Sequence, residues 1–413
     1  MTYAAPLRDI RFILHEMIGL PPSREEGDLT PELVDAILDE AARFAADVLA
    51  PLNQPGDKQG ARWQGGAVTA PDGFRAAYRA SPTAVLAFGD NEGAIGHLVG
   101  DANRGLEYMF VMMNLARFGV GLEGVALSER ALQAAVSYAT DRVQGTEIGV
   151  RGGQRVPIIR HPDVRRMLMS MKAQTEAMRA LAYFVAAEMD QARRGGDTSA
   201  QAIVDLLIPV LKGWCTENAV EIASTGVQVH GGMGFIEETG AAQHLRDARI
   251  TPIYEGTTGI QANDLIGRKI ARDGGRAAGV AIAAMRGVVE ALHGEELAAL
   301  RAQLTDAVAA LERCVRWVVE TYAADPRAAA AGAVPLLKLF GITAGGWQMG
   351  RAAIVAQRKL ASGDNADRAF YQAKLGTARF YADHILPQAQ ALAPTVTQGA
   401  AGVLALDEAQ FAA

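Results

Sequence analysis

The chain of 413 residues has little from which to build a disulfide framework, a metal centre or a nucleic-acid surface. It holds two cysteines, Cys215 and Cys314, far apart and each in an apolar, helix-like stretch. This excludes a disulfide scaffold and predicts buried thiols in a reducing compartment. His and Cys never cluster at metal-ligand spacing. Acidic residues outnumber basic ones, 46 to 40, and the net charge of −6 leaves no electrostatic footprint for nucleic acid. No apolar run approaches the roughly 18 residues needed to span a bilayer. Arg8, Asp9, Arg11 and Glu16 interrupt any N-terminal signal core, so a soluble, cytoplasmic protein is expected. Familiar phosphate loops are missing too. Gly100 to Gly105 has the two-glycine spacing of a P-loop but continues into Leu106-Glu107, and no strand–GxGxxG–helix unit or GxSxG elbow exists.

What is abundant is Ala within a half-apolar composition, which favours packed helices, and the length suits two or three domains. Around Asp28–Asn53, Thr30 reads as an N-cap, with Pro31 in the first turn and Glu32 beside it. Leu33, Val34, Ile37, Leu38, Ala41, Phe44, Ala45 and Val48 recur at helical spacing, and Pro51 is expected to end the helix. Residues 54–73 are rich in Gly, Pro and turns, and a short helix is expected over 74–80. Residues 81–100 read as two short strands about the turn Asp90-Asn91-Glu92-Gly93. From there the chain is helical: 103–142, then a Gly-rich connector over 145–159, 161–194, about 200–229, and a fourth helix after Thr258. Four long helices with short links predict a bundle, and Ala-rich helices continue from about Gly275.

Two stretches invite a functional reading. Val227–Phe235 carries Gly231, Gly232 and Gly234, which suits either a helix end or close approach of backbone to a cofactor. His230, just before them, is a lone histidine. Arg249–Gln261 places Glu255 just before a helix that Thr257 or Thr258 would cap. Free N–H groups there attract anions, so a base and an anionic ligand could sit side by side. On spacing alone, a plain surface loop is the better explanation of Glu255.

The order Gln228-x-x-Gly231-Gly232-x-Gly234-Phe235, Leu245-Arg246-Asp247-Ala248-Arg249-Ile250 and Ile253-Tyr254-Glu255-Gly256-Thr257 resembles the C-terminal signature of the flavin-dependent acyl-CoA dehydrogenases. "LARFGVG" and "YATDRVQG" upstream are similar to the same family. "APLRDIRFILHEM", "LKLFGITAGGWQMGRAA" and "AKLGTARFYADHILP" resemble its long-form members, of the 3-methylmercaptopropionyl-CoA dehydrogenase type. The resemblance implies a mainly α fold: a truncated N-terminal helical domain over 1–80, a small β-domain remnant over 81–102, a four-helix bundle over 103–272 and a C-terminal helical extension over 273–413. Most of the middle β-domain would be absent between Ala80 and Ser81, leaving Val85, Leu86, Phe88, Ile95, Leu98 and Val99 partly exposed.

By the same resemblance Glu255 matches the catalytic base. Arg142, Gln228, Gly231, Gly232 and Thr257 match contacts to FAD, the Gln-x-x-Gly-Gly contact often reaching a neighbouring subunit. Arg117, Tyr254 and Gly256 match the substrate side. Gly259 departs from the pattern, since many relatives carry Gln there. The implied reaction oxidises an acyl-CoA to the trans-2-enoyl-CoA: Glu255 removes the α-proton and the β-hydrogen leaves as hydride to the flavin. The thioester oxygen would be stabilised by the Glu255 backbone N–H and a flavin hydroxyl, in the manner of an oxyanion hole. The implied partners are acyl-CoA, electron-transfer flavoprotein as electron acceptor, and further copies of the chain. The competing reading is an inactive homologue that keeps the bundle as an oligomerisation or interaction surface.

Overall fold

In the computed structural model, residues 3–20, 30–60, 62–64, 67–69, 93–195, 198–363 and 367–411 are described. The chain forms two compact units, one of residues 1–7 and 23–116, the other of residues 8–22 and 117–413. A short helix α1 (Leu7–Arg11) runs into a π-helical turn, Phe12–Ile18, most of which belongs to the second unit.

In the first unit, α2 (Pro31–Phe44) begins as its sequence predicts. Thr30 Oγ1 accepts the Leu33 N–H at 3.2 Å, and Pro31 stands in the first turn. The expected stop at Pro51 is not there. A π-helical turn, Ala45–Leu49, leads directly into α3 (Ala50–Gln59). Pro51 falls in the first turn of α3, where a missing N–H breaks no intrahelical bond, so it restarts the helix instead of ending it. β1 (Arg62–Gln64) and β2 (Ala67–Thr69) pair antiparallel with Trp63 opposite Val68, within a stretch expected to be turns. The helix expected over 74–80, the first of the two strands, and Val85, Leu86 and Phe88 lie outside the described residues. The second strand is not formed: residues 93–99 adopt no regular structure, and Ile95, Leu98 and Val99 are 74–89% exposed. A lone strand pair is too small to hold itself together in water.

α4 (Gly105–Asp141) opens the helical region and ends at a small hairpin, β3 (Val143–Thr146) with β4 (Arg155–Pro157), inside the expected connector. α5 (Pro162–Gly195) and α6 (Thr198–His230) follow, then the short α7 (Gly232–Phe235), α8 (Ala241–Ile250) and α9 (Thr258–Asp264). Beyond these come α10 (Arg276–Ala291), α11 (Ala298–Tyr322), α12 (Pro326–Ala331), α13 (Ala333–Ala361), α14 (Arg368–His384), α15 (Pro387–Gln398) and α16 (Ala400–Val403). The long helices match the periodic stretches of the sequence. α6 is buried over most of its surface, with Glu217, Glu221 and Gln228 on its exposed edge, and is correspondingly central: α5, α8, α9, α10 and α13 all pack on it. Both cysteines are free and buried. No helix among the described residues is long and apolar enough to cross a membrane, and no cluster of potential metal ligands is found among them.

The contact between α6 and α13 depends on glycine. A Cβ on Gly341 would come within 2.2 Å of the Trp214 ring, and one on Gly345 within 2.4 Å of the Tyr381 hydroxyl. Trp214 and Tyr381 are almost fully buried, and the Tyr381 hydroxyl donates to Ile342 O at 2.9 Å. The small residues of "GITAGG" therefore let two large side chains enter the middle of the helical stack.

A buried charge cluster ties the N-terminal segment to this stack. The Asp9 carboxylate accepts from both Arg179 of α5 and Lys374 of α14. Arg179 also pairs with Glu129 of α4, and Lys374 with Glu176 of α5 at 3.0 Å. Glu176 additionally accepts the Thr377 hydroxyl at 2.8 Å and pairs with Lys172 at 2.6 Å. Burial alone would raise the Asp9 carboxyl, but Lys374 and Arg179 outweigh it and hold it at about 2.

Two outcomes follow from this packing. Gly341→Val should lower stability by about 1–3 kcal/mol, because Trp214 has nowhere to move; an unchanged midpoint in thermal unfolding would refute the close approach. Asp9→Ala should cost about 3–5 kcal/mol by leaving Arg179 and Lys374 buried with one partner fewer. Since the folded Asp9 carboxyl lies below its ordinary 3.8, its contribution is present above that pH and disappears as pH falls toward about 2. Urea unfolding from neutral to acid pH should show the variant losing less stability than the native chain.

Candidate functional site

The loop between α8 and α9 is held in a strained shape. Glu255 has φ of 53° and Gly256 φ of 91°. A left-handed backbone is common for glycine and unusual for glutamate, and it persists only where surrounding groups enforce it. Two side chains do so here. Lys212 Nζ, from the middle of α6, donates to Gly256 O at 2.7 Å. Gln261 Nε2, from the first turns of α9, donates to Gly256 O at 3.1 Å and to Glu255 O at 3.3 Å. Thr257 is the N-cap of α9, accepting the Ile260 N–H at 3.3 Å, while the Thr258 hydroxyl donates to Glu217 at 2.5 Å.

The Glu255 side chain is exposed. Among the described residues, the backbone N–H groups of Glu255, Gly256 and Thr257 donate to nothing. Three successive amides beside a carboxylate can take an oxygen that carries, or is gaining, negative charge.

Beneath the loop lies a set of buried polar groups. The Tyr254 hydroxyl donates to the Glu123 carboxylate. Burial raises the Glu123 carboxyl, and burial with the Glu123 carboxylate raises the Tyr254 phenol. Arg117 is buried and pairs with Asp264 at 2.7 Å, and the other oxygen of Asp264 meets Arg268 at 2.6 Å. Lys212 is fully buried, and burial followed by the nearby Arg117 charge brings it down to about 8, against the pull of Glu217, Glu255 and Glu123. Arg117, Tyr254, Glu255, Gly256 and Thr257 thus occupy one neighbourhood.

Arg142, Gln228, Gly231 and Gly232 occupy another. His230 stacks on Tyr138 with ring centroids 4.5 Å apart, which brings the C-terminal ends of α4 and α6 together. Its Nδ1 meets Gly226 O at 2.7 Å, and burial lowers its affinity for a proton, so it packs as a neutral core histidine. The Gly cluster divides in two. A Cβ on Gly234 would lie 2.3 Å from Val227 O, so close packing requires this glycine. Gly231, with φ of 61°, and Gly232 would meet nothing, and their backbone is exposed together with Gln228 and Arg142. An exposed cation and amide beside open backbone fit the pyrophosphate of a dinucleotide. Lys212 and His230 are 18 residues apart on α6. At the α-helical rise this puts about 27 Å between the two neighbourhoods.

Sequence reading did not select Lys212, Glu123, Gln261 or Asp264. Lys212 did leave a signal, as the lone charge within the apolar run Ile203–Trp214 apart from Asp205. Glu123 and Asp264 pair with Tyr254 and Arg117, distant in sequence, and Gln261 turns back onto its own loop; none of the three stands out in the sequence.

Residues 103–270 match the sequence model of the acyl-CoA dehydrogenase C-terminal domain, and residues 281–407 match the acetyl-CoA dehydrogenase C-terminal-like model. The chain is 50% identical over 319 residues to 3-methylmercaptopropionyl-CoA dehydrogenase of Ruegeria pomeroyi, covering 76% of this chain and 53% of that one. It is 35% identical over 354 residues to the broad-specificity linear acyl-CoA dehydrogenase FadE5 of Mycobacterium tuberculosis, covering 81% and 57%. The fold is similar to the crystal structure of ACDH-11 of Caenorhabditis elegans in complex with C11-CoA, with a TM-score of 0.55 at 22% identity over 70% of this chain and 46% of that one. The chain spans about half the length of the relatives it matches.

Lys212 should be detectable through its titration. Between about pH 8 and its ordinary 10.5, the folded chain has released this proton and the unfolded chain still holds it, so stability rises with pH across that window. Compared with Lys212→Met, the native chain should gain stability from about pH 8 upward, measured by urea unfolding. A difference between the two that stays flat with pH would mean that Lys212 is not held in a dry site.

Proposed function

Because the chain belongs to the acyl-CoA dehydrogenase family, whose two C-terminal domains it carries in order, we propose that it serves the α,β-dehydrogenation of an acyl-CoA thioester to the trans-2-enoyl-CoA. The observation that carries this reading is the strained Glu255 with its unpartnered run of amides. The Glu255 carboxylate takes the α-proton. The Glu255 N–H, with its neighbours, stabilises the thioester oxygen as that proton leaves, which matters because an α-carbon is a weak acid. Lys212 and Gln261 act on the backbone: by donating to the loop's carbonyls they hold it in its left-handed conformation. Arg117, tied to Asp264, and Tyr254, tied to Glu123, form the wall on the substrate side.

Members of this family are FAD-dependent; Arg142, Gln228, Gly231, Gly232 and Thr257 would hold FAD here, and it would supply the hydride acceptor for the β-hydrogen. Since Thr257 lies beside the base and the other four lie about 27 Å along the helices, one site is completed by two chains, and the working form is a homo-oligomer. Electron-transfer flavoprotein is the external electron acceptor. A second reading has one observation in its favour. The apolar stripe of α2 is exposed at Leu33, Ile37 and Phe44, as expected of an inactive homologue that serves as an interaction surface.

Anaerobic titration of the flavin-loaded chain with an acyl-CoA separates the two. Bleaching of the flavin absorbance supports catalysis. Glu255→Gln should keep flavin and acyl-CoA binding but slow the bleaching by roughly 10²–10⁴-fold. Bleaching at the native rate in the variant would assign the base elsewhere, and failure of the native chain to retain FAD through gel filtration would favour the second reading.

A further inference from the structure

Away from the Glu255 loop, a cavity of about 380 Å³ opens between the early part of α6 and the segment that joins α9 to α10. That segment continues α9 as a π-helical turn, Leu265–Ile270, and a tight turn, Ala271–Asp273. It brings Arg268, Lys269, Arg272 and Arg276 to one cavity. Their only acidic company in the lining is Asp205 and Asp273, and both are engaged. Asp273 accepts the N–H groups of Gly275 and Ala277, each at 2.9 Å, and so caps α10. Asp205 stands 3.9 Å from Lys269. Arg268 is bound to Asp264, and Arg276 Nε donates to Asp273 O at 3.1 Å. Arg272 makes no hydrogen bond or ion pair among the described residues.

Three guanidinium groups and an ammonium sharing one cavity repel one another, and an anion between them relieves that repulsion. Guanidinium forks match the oxygens of a phosphate group in pairs. The volume falls in the range of small-molecule sites and is too small for a macromolecular segment of any length. Ala202, Leu206 and Ala277 add an apolar floor, which a bare inorganic ion would not use.

We propose that this cavity is a binding site for a small phosphorylated ligand of the nucleoside-phosphate class, with Arg272, Arg276 and Lys269 as its phosphate donors. It uses none of the residues assigned above to base, flavin or acyl-CoA, and so stands independently of that assignment.

Calorimetric titration of the full chain with ADP, inorganic phosphate and adenosine tests it. ADP should bind, phosphate should bind at least tenfold more weakly, and adenosine should not bind. The ADP affinity should fall with added salt. The double variant Arg272→Gln/Arg276→Gln changes exposed side chains and should fold normally, with ADP binding weakened at least roughly tenfold. Arg142→Gln, at the surface assigned to flavin, should leave ADP binding unchanged. Unaltered affinity in the double variant, loss of binding in Arg142→Gln alone, or no ADP binding at millimolar concentration would overturn the proposal. Phosphate binding as tight as ADP would overturn the nucleoside class.

Discussion

Asp9 is the residue on which the helical unit closes. It lies in a helix of five residues, too short to be stable alone, and its carboxylate is shared by a cation from α5 and a cation from α14. Neither cation would be tolerated in the core without it. Each also needs a second carboxylate, Glu129 for Arg179 and Glu176 for Lys374, so the cluster fixes α4, α5 and α14 against the N-terminal segment at once. Such a cluster is not a cheap source of stability, because taking ions out of water costs about what their attraction returns. Its effect is on arrangement: other ways of packing these helices leave a buried charge alone.

That arrangement reaches the candidate site through α6. α5 packs along α6, and α13 packs on both of them, meeting α6 by way of Gly341 and Gly345, so α6 is dry along most of its length. A lysine in such a helix has few options. Lys212 is directed to a backbone carbonyl, Gly256 O, and this bond joins a largely buried helix to the strained Glu255 loop. The strain at Glu255 is thus set by packing some distance away. Its cost is compensated by a buried ammonium that would otherwise lack an acceptor.

The division between what was legible in the sequence and what was not follows the range of the interactions. The helices announced themselves because their apolar residues repeat at 3.6, and the Thr30 cap because it acts over three residues. Pro51 was misread because a proline looks the same at the end of one helix and at the start of the next. The hairpin of β1 and β2 has three residues in each strand, too few to show alternation. The second strand over 94–99 had the composition of a strand but no sheet to join. At the candidate site, Glu255 stood out only through family resemblance. Its supports, Lys212 and Gln261, are recognisable once the fold has brought residue 212 to residue 256, and no local pattern encodes that meeting.

The placement of the two neighbourhoods bears on how a ligand could use both. The Glu255 loop grips the middle of α6, and the open glycines sit at its C-terminal end, about 27 Å away along a helix too well packed to bend them together. A ligand that needs both neighbourhoods must therefore be long, or must lie between two chains, each giving a different end. In the proposed assembly these are the same requirement, since a dinucleotide laid across two copies would touch the Glu255 loop of one and the glycine turn of the other.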